Sequence, residues 1–240
     1  MHAGRIHAGA FSLMELLIAV GIVSVLAALL VPAIRKMKDS GDSVQCLSNL
    51  RAMGLFSMNY SLDNDGRMVQ SYVGGPATYW FDTYCIYYGY NHPDVRRNLP
   101  PAITCKANRR IGTGWGGVNG GKQWAINWGT GYSSTPSNPP KPEEAHRWVK
   151  LGQIQQYPSE SIVPLATPSK TAWFVDGGEF SFFYQSASQS DPFRRPHNGK
   201  SNVLYFDGHA ATVDIPDFTK VSPSILKKQE WVDFFGHKSD

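Results

Sequence analysis

The sequence predicts an α+β protein, with one long N-terminal helix packed on a C-terminal antiparallel β-sheet and long loops rich in Gly, Pro and Trp. Three observations carry this. Ala10 to Ile34 is almost wholly apolar. From Val44 to Met58, apolar and small residues recur at three- and four-residue steps. Near the C-terminus, two Asp-Gly pairs each separate β-rich runs.

The apolar stretch organises the chain. Leu16 to Ile34 carries no charged side chain, and as a helix it spans about 28 Å, close to the ~30 Å hydrocarbon core of a bilayer. Such a segment belongs in lipid or in the core of an assembly. A cleaved secretory signal fits poorly, because the apolar run is long and Arg35-Lys36-Met37-Lys38 continues as helix. A plain anchor leaves Glu15 unexplained, since an ionisable residue at the edge of a span is costly and usually has a partner. Pro32 lacks a backbone donor and clashes with the preceding turn, so the helix should kink or melt there.

Val44, Leu47, Leu50, Gly54 and Met58 mark one face of an amphipathic continuation to about Asp65. Asn64-Asp65-Gly66 supplies residues that tolerate a left-handed C-cap. Asp63, Asp65 and Gly66 lack the companions of a calcium loop, and Gly41-Asp42-Ser43, like a lipase motif in outline, falls inside the helix. Neither is read as a site.

Tyr72 to Tyr90 is aromatic and β-leaning, bounded by Gly74-Gly75-Pro76 and Asn91-His92-Pro93. Residues 106–150 read as ordered loops pinned by Trp115, Trp124, Trp128 and Trp148. Thr171–Val175 and Glu179–Tyr184 flank Asp176-Gly177-Gly178, while Asn202–Phe206 and His209–Val213 flank Asp207-Gly208. Both pairs are expected to be hairpins closed by tight turns with positive φ.

Asp176, His197, Asp207 and His209 are the candidate metal ligands, because two carboxylates and imidazole at one sheet edge can hold a cation. The simpler reading makes both Asp residues turn formers and His197 a loop hydrogen-bonder. No Gly-x-Ser-x-Gly elbow, Walker loop or His-Glu-x-x-His occurs, so no catalytic residue is expected. Cys46, Cys85 and Cys105 allow one disulfide outside the cytoplasm, with one thiol left over. Spacing alone does not choose the pair.

With 240 residues and 42% hydrophobic content, the chain holds one domain beyond the anchor with a real core. A net charge of +4, scattered along the sequence, gives no footprint for nucleic acid. Aromatics at 12%, with 23 Gly and 16 Pro, suit a loop-rich β domain.

Arg5 in a short leader, Ala10, Phe11, Glu15 four residues later and the apolar helix together resemble the N-terminus of type IV pilins and type II secretion pseudopilins. The phrase Met58 to Arg67 resembles the helix end of major pseudopilins. PHNGKSNVLYFDGHAATV, in which nine residues separate His197 from Asp207-Gly208, resembles the H-x9-DG tail of a pilin-like subfamily common in planctomycetes and verrucomicrobia. Cys46, Cys105 and Ser169 to Gly178 sit where that subfamily has landmarks, although Lys106 replaces its usual Pro.

The resemblance implies a pilin-like fold divided into a leader (1–10), an apolar half-helix (11–34), an amphipathic half-helix (35–66) and a β-rich head (67–240). It implies that a prepilin peptidase cuts between Ala10 and Phe11 and methylates the new amine. In the family, Glu15 would meet a neighbour's N-terminal ammonium, a pairing that sets register, and the helix would loosen at Pro32. It also implies a Cys46–Cys105 disulfide. The expected product is a structural subunit, not an enzyme, without a required cofactor; the resemblance to major pseudopilins, which bind calcium near the C-terminus, makes calcium the ion expected if the candidate ligands hold one. Its partners would be copies of itself in a helical filament, the peptidase and an inner-membrane assembly platform. Before assembly it would be a single-pass inner-membrane protein with its C-terminal domain outside, and afterwards part of a periplasmic pseudopilus or surface filament. Arg35, Lys36 and Lys38 beyond the span oppose this orientation by the positive-inside rule, but the processing motif requires it. The alternatives are a membrane-tethered minor pilin, or a glycan-binding module using Trp115 and Trp128.

Overall fold

The computed structural model describes residues 12–71, 79–90, 99–108, 112–113, 119–120, 124–130, 149–155, 161–177, 182–183, 193–217 and 228–236. The chain divides into two compact units, Met1–Gly41 and Asp42–Asp240. One helix, α1 (Leu13–Asp63), runs from the first into the second and continues unbroken through Pro32. The local melting expected there is not seen. Ala10 and Phe11 lie outside the described residues.

In the first unit, every described side chain is exposed, and the helix is long and apolar enough to cross a membrane. Its start is a capping box that the sequence reading overlooked. The Ser12 N–H donates to Glu15 Oε2 at 3.0 Å, and the Glu15 N–H donates to Ser12 Oγ at 3.2 Å. Ser-Leu-Met-Glu is the signature of this cap.

In the second unit, α1 buries Cys46, Leu50, Met53, Gly54, Phe56, Ser57 and Ser61. The expected face is correct at Leu50 and Gly54, Leu47 and Met58 are half-buried with Met58 against the core, and Val44 turns outward at 67% exposed. The difference arises because Cys and Ser hold buried positions that an apolar count passes over. Gly54 marks close approach to the sheet, since a Cβ there would stand 2.9 Å from a methyl of Leu204. The helix ends as expected, with Asp65 at φ 55° and Gly66 at φ 79°. The Gly66 N–H reaches back to the Ser61 carbonyl at 2.8 Å, the long bond of a Schellman cap.

The aromatic run after it is helical rather than extended, forming α2 (Trp80–Tyr87). Asp82 accepts the Tyr79 N–H at 3.1 Å and so caps the first turn. Trp80, Phe81 and Cys85 turn inward while Ile86 and Tyr88 stay exposed, a helical period hidden by uniformly bulky residues.

Among the described residues, the main sheet has five strands in the order β7 (Phe182–Phe183), β3 (Trp124–Asn127), β6 (Ala172–Asp176), β8 (Ser201–Tyr205) and β9 (Ala210–Val213). All pairings are antiparallel except β3 with β7. Two small antiparallel pairs stand apart, β1 (Gly112–Thr113) with β2 (Asn119–Gly120) and β4 (Gln153–Gln155) with β5 (Ile162–Pro164). On one face of the main sheet, Trp124, Ile126, Phe174 and Leu204 join the buried residues of α1 and α2. On the other, Ala125, Val175 and Val203 pack with Phe193, Ile215 and the Phe234-Phe235 pair of α3 (Gln229–Phe235). A β-bulge between Ala172 and Phe174 places both Trp173 and Phe174 on the α1 side.

One expected hairpin forms and the other does not. β8 and β9 are joined by Phe206-Asp207-Gly208, with the Gly208 N–H bonded to the Tyr205 carbonyl at 2.9 Å and Gly208 at φ 90°. This is a three-residue loop closed by a left-handed Gly, rather than a two-residue type I′ turn. After β6 no hairpin is made among the described residues: β7 pairs with β3 instead, and Gly177 bridges to Phe193. Asp176 is pulled into the core, as described below, and cannot lead a surface turn. Among the loop tryptophans, Trp124 is fully buried within β3, so it offers no face to a glycan. Trp115, Trp148 and the side chain of Trp128 lie outside the described residues.

Candidate functional site

Four residues from four elements converge beneath α1. Cys46 comes from the helix and Cys105 from the turn that follows the 3₁₀ segment Pro101–Ile103. Asp176 is the last residue of β6, and His197 opens the tight turn into β8. That turn holds the type I′ geometry expected elsewhere. Asn198 and Gly199 take φ 54° and 81°, and His197 and Lys200 exchange backbone hydrogen bonds at 3.2 and 3.1 Å. Asn-Gly before a β-rich run is the strongest short hairpin signal, and it fixes where His197 points.

His197 Nε2 lies 3.2 Å from Asp176 Oδ2 and 3.4 Å from Cys105 Sγ. The ligand atoms of Cys46, Cys105 and His197 all fall within 4.8 Å of one another. All four residues are buried, with His197 the most accessible at 5%. The Asn202 N–H donates to Asp176 Oδ2 at 2.6 Å, while Asp176 Oδ1 and His197 Nδ1 have no hydrogen-bond partner. Asn108 anchors the Cys105 turn by donating to the Gly177 carbonyl at 2.8 Å.

This alters the expected constellation. Asp176 and His197 do meet, but Asp207 belongs to another place. It accepts from the His209 ring at 2.6 Å and from the His209 N–H at 3.1 Å, in the exposed β8–β9 turn. The two cysteines take the place that had been given to Asp207. The expected Cys46–Cys105 disulfide is not formed in the structure: all three cysteines are free, and these two lie side by side. Spacing could not reveal this, because the four residues span the sequence and meet only through the topology.

The electrostatics favour separated charge inside the core. The Cys105 thiol hydrogen bond, helped by His197 and the Ala107 N–H, overrides burial and lowers the Cys46 thiol to about 5. Cys105 moves upward, held protonated by that same hydrogen bond and by burial. Burial opposes charge on His197, yet the Asp176 carboxylate and Cys46 sulfur outweigh it and raise the imidazole to about 9.

These shifts predict a stability plateau in reduced, metal-free protein. His197 lies above its unfolded value, so its contribution is complete below about 6.5 and is lost as pH rises through about 9. Cys46 lies below its ordinary value of 9.0, so its contribution is complete above that value and is lost as pH falls to about 5. The two slopes oppose each other from about 6.5 to 9. Stability should be flat there, fall toward pH 5 as Cys46 protonates, and fall above 9 as Cys105 resists ionising. Urea midpoints across pH 5–10 in full-length protein check this; a steady slope through the neutral range would contradict it.

A family-model scan and searches of curated proteins and of solved structures found no match to this chain.

Proposed function

We propose that this chain is a pilin-like structural subunit, processed at its N-terminus and assembled through its helix into a filament. The observation that carries the reading is the first half of α1, an exposed apolar helix headed by a single acidic residue. Such a surface needs either lipid or other helices around it, and a subunit that moves from membrane to fibre uses both. The α+β layout of the second unit supports the reading, because its sheet and α1 share one buried core. The finer expectations rest on the resemblance: cutting between Ala10 and Phe11, methylation, an inner-membrane start with the C-terminal domain outside, and a pilus or pseudopilus as product.

Glu15 has two tasks to separate. Within the chain it caps α1, a role glutamine also performs in a capping box. In a filament its carboxylate would pair with a neighbour's terminal ammonium, which glutamine does poorly because the attraction between full charges is gone. Glu15→Gln should therefore keep membrane insertion and reduce sheared, pelletable fibres at least tenfold, and Glu15→Ala should do the same. Fibre yield unchanged in Glu15→Gln would reject the charge pairing. Intact mass and N-terminal sequencing of the fibre fraction test the rest, with N-methyl-Phe11 as the expected first residue. Recovery only of chains that begin at Met1 would reject processing.

A further inference from the structure

We propose that Cys46, Cys105, His197 and Asp176 form a closed binding site for a thiophilic divalent cation, with zinc the best match. The donor set is two sulfurs, one imidazole nitrogen and one carboxylate, a combination suited to tetrahedral zinc and poorly suited to calcium or magnesium. The spacing agrees. A tetrahedral ion with Zn–S of about 2.3 Å and Zn–N of about 2.0 Å sets sulfur and nitrogen roughly 3.5 Å apart, and nitrogen and carboxylate oxygen roughly 3.3 Å apart. The corresponding separations here are 3.4 Å for Cys105 with His197 and 3.2 Å for His197 with Asp176.

The surroundings are arranged for anionic ligands. The Asn202 N–H donates to Asp176 Oδ2 at 2.6 Å, and the Asn108 N–H closes the Cys105 turn by donating to the Cys105 carbonyl at 3.1 Å. A backbone donor thus holds the carboxylate, and the Cys105 turn is fixed by its own backbone, which is the task of the shell around metal ligands. Asp176 Oδ1 is buried without a partner and is free to turn to a cation. Every ligand is enclosed, as in structural rather than catalytic zinc sites. The ion would tie α1 to the Cys105 turn, to the end of β6 and to the start of β8. The site lies wholly within the unit Asp42–Asp240 and does not require filament assembly, so metal binding and assembly fail separately.

The test uses the full chain in detergent micelles, reduced and stripped with a chelator, then titrated with Co²⁺ alone. The expected result is about one Co²⁺ per chain, with near-ultraviolet thiolate-to-cobalt charge transfer and the visible bands of a tetrahedral ion, both lost on adding Zn²⁺. Asp176→Asn should weaken binding about 10- to 100-fold. Cys46→Ser and Cys105→Ser should each remove the charge-transfer band or halve it. Cys85→Ser should leave uptake unchanged, since that thiol lies outside the cluster. The wild-type spectrum stands even if a variant fails to fold. Absence of charge transfer in reduced, folded protein would overturn the site. So would protein isolated from cells without zinc and lighter by the two hydrogens of a Cys46–Cys105 disulfide.

Discussion

Replacing Asp176 by alanine should destabilise the unit Asp42–Asp240 by about 3–5 kcal/mol, the usual cost of removing one member of a buried ion pair. Two groups lose their partner at once. His197 Nε2, 3.2 Å away, loses the carboxylate that stabilises its charge in a dry core, and the Asn202 N–H loses its 2.6 Å acceptor. Asp176→Asn separates the two losses. Its amide oxygen still accepts from Asn202, so only the charge is gone, and the cost should be about 1–3 kcal/mol. Urea unfolding of the full chain, reduced and with chelator present, gives both numbers. Equal costs for the two variants would show that the backbone hydrogen bond contributes nothing. A second readout isolates the charge: without the carboxylate, burial dominates and the His197 imidazole should titrate well below the value of about 9 it has beside Asp176. Nuclear magnetic resonance of the histidine ring reads that titration directly, and an unchanged midpoint would mean that Cys46 alone holds the proton.

The parts of this molecule that were legible in advance are those set by local periodicity. Uninterrupted apolarity from Leu16 to Ile34 and the Asn64-Asp65-Gly66 cap define a helix that matches α1 almost to its ends. Asn202–Phe206 and His209–Val213 likewise foretell β8 and β9. Failures occur where two local signals compete. In Trp80–Tyr87 aromatic residues suggest a strand, but the Asp82 cap and the spacing of buried rings select a helix. At Asp176-Gly177 the turn propensity of the pair yields to burial, because the carboxylate finds the Asn202 N–H and His197 within the core. The Asn198-Gly199 pair is a plain local turn signal beside His197, and its left-handed residues form the tight turn that leads into β8. The site was legible only in halves. Asp176 and His197 were paired for one purpose and Cys46 and Cys105 for another, and only the crossing of α1 over the sheet brings the four together.

Trp173→Ala should produce a loss of similar size, about 3–5 kcal/mol, from the cavity left by a large buried ring. Trp173 is fully buried and stacks on Phe206 with ring centres 5.1 Å apart and planes 7° from parallel. Its neighbour Phe174 meets Trp80 edge-on at 5.3 Å. In a regular strand, two consecutive residues point to opposite faces. Here the bulge after Ala172 turns both toward the α1 side, so that side of β6 carries two large rings in succession. The cavity would open where α1 and the sheet share their core, among side chains that are themselves buried. Trp173→Phe tests the role of shape against that of the indole N–H. That nitrogen is buried without a partner, so removing it relieves a desolvated donor while part of the ring area is kept. The phenylalanine variant should therefore cost about 1 kcal/mol or less beyond its lost area, well short of the alanine value. Far-ultraviolet circular dichroism during urea titration follows both variants without relying on the mutated chromophore. If alanine cost under about 1 kcal/mol, Trp173 would have to lie in a yielding, wet environment, and the bulge would not be what packs α1 onto the sheet.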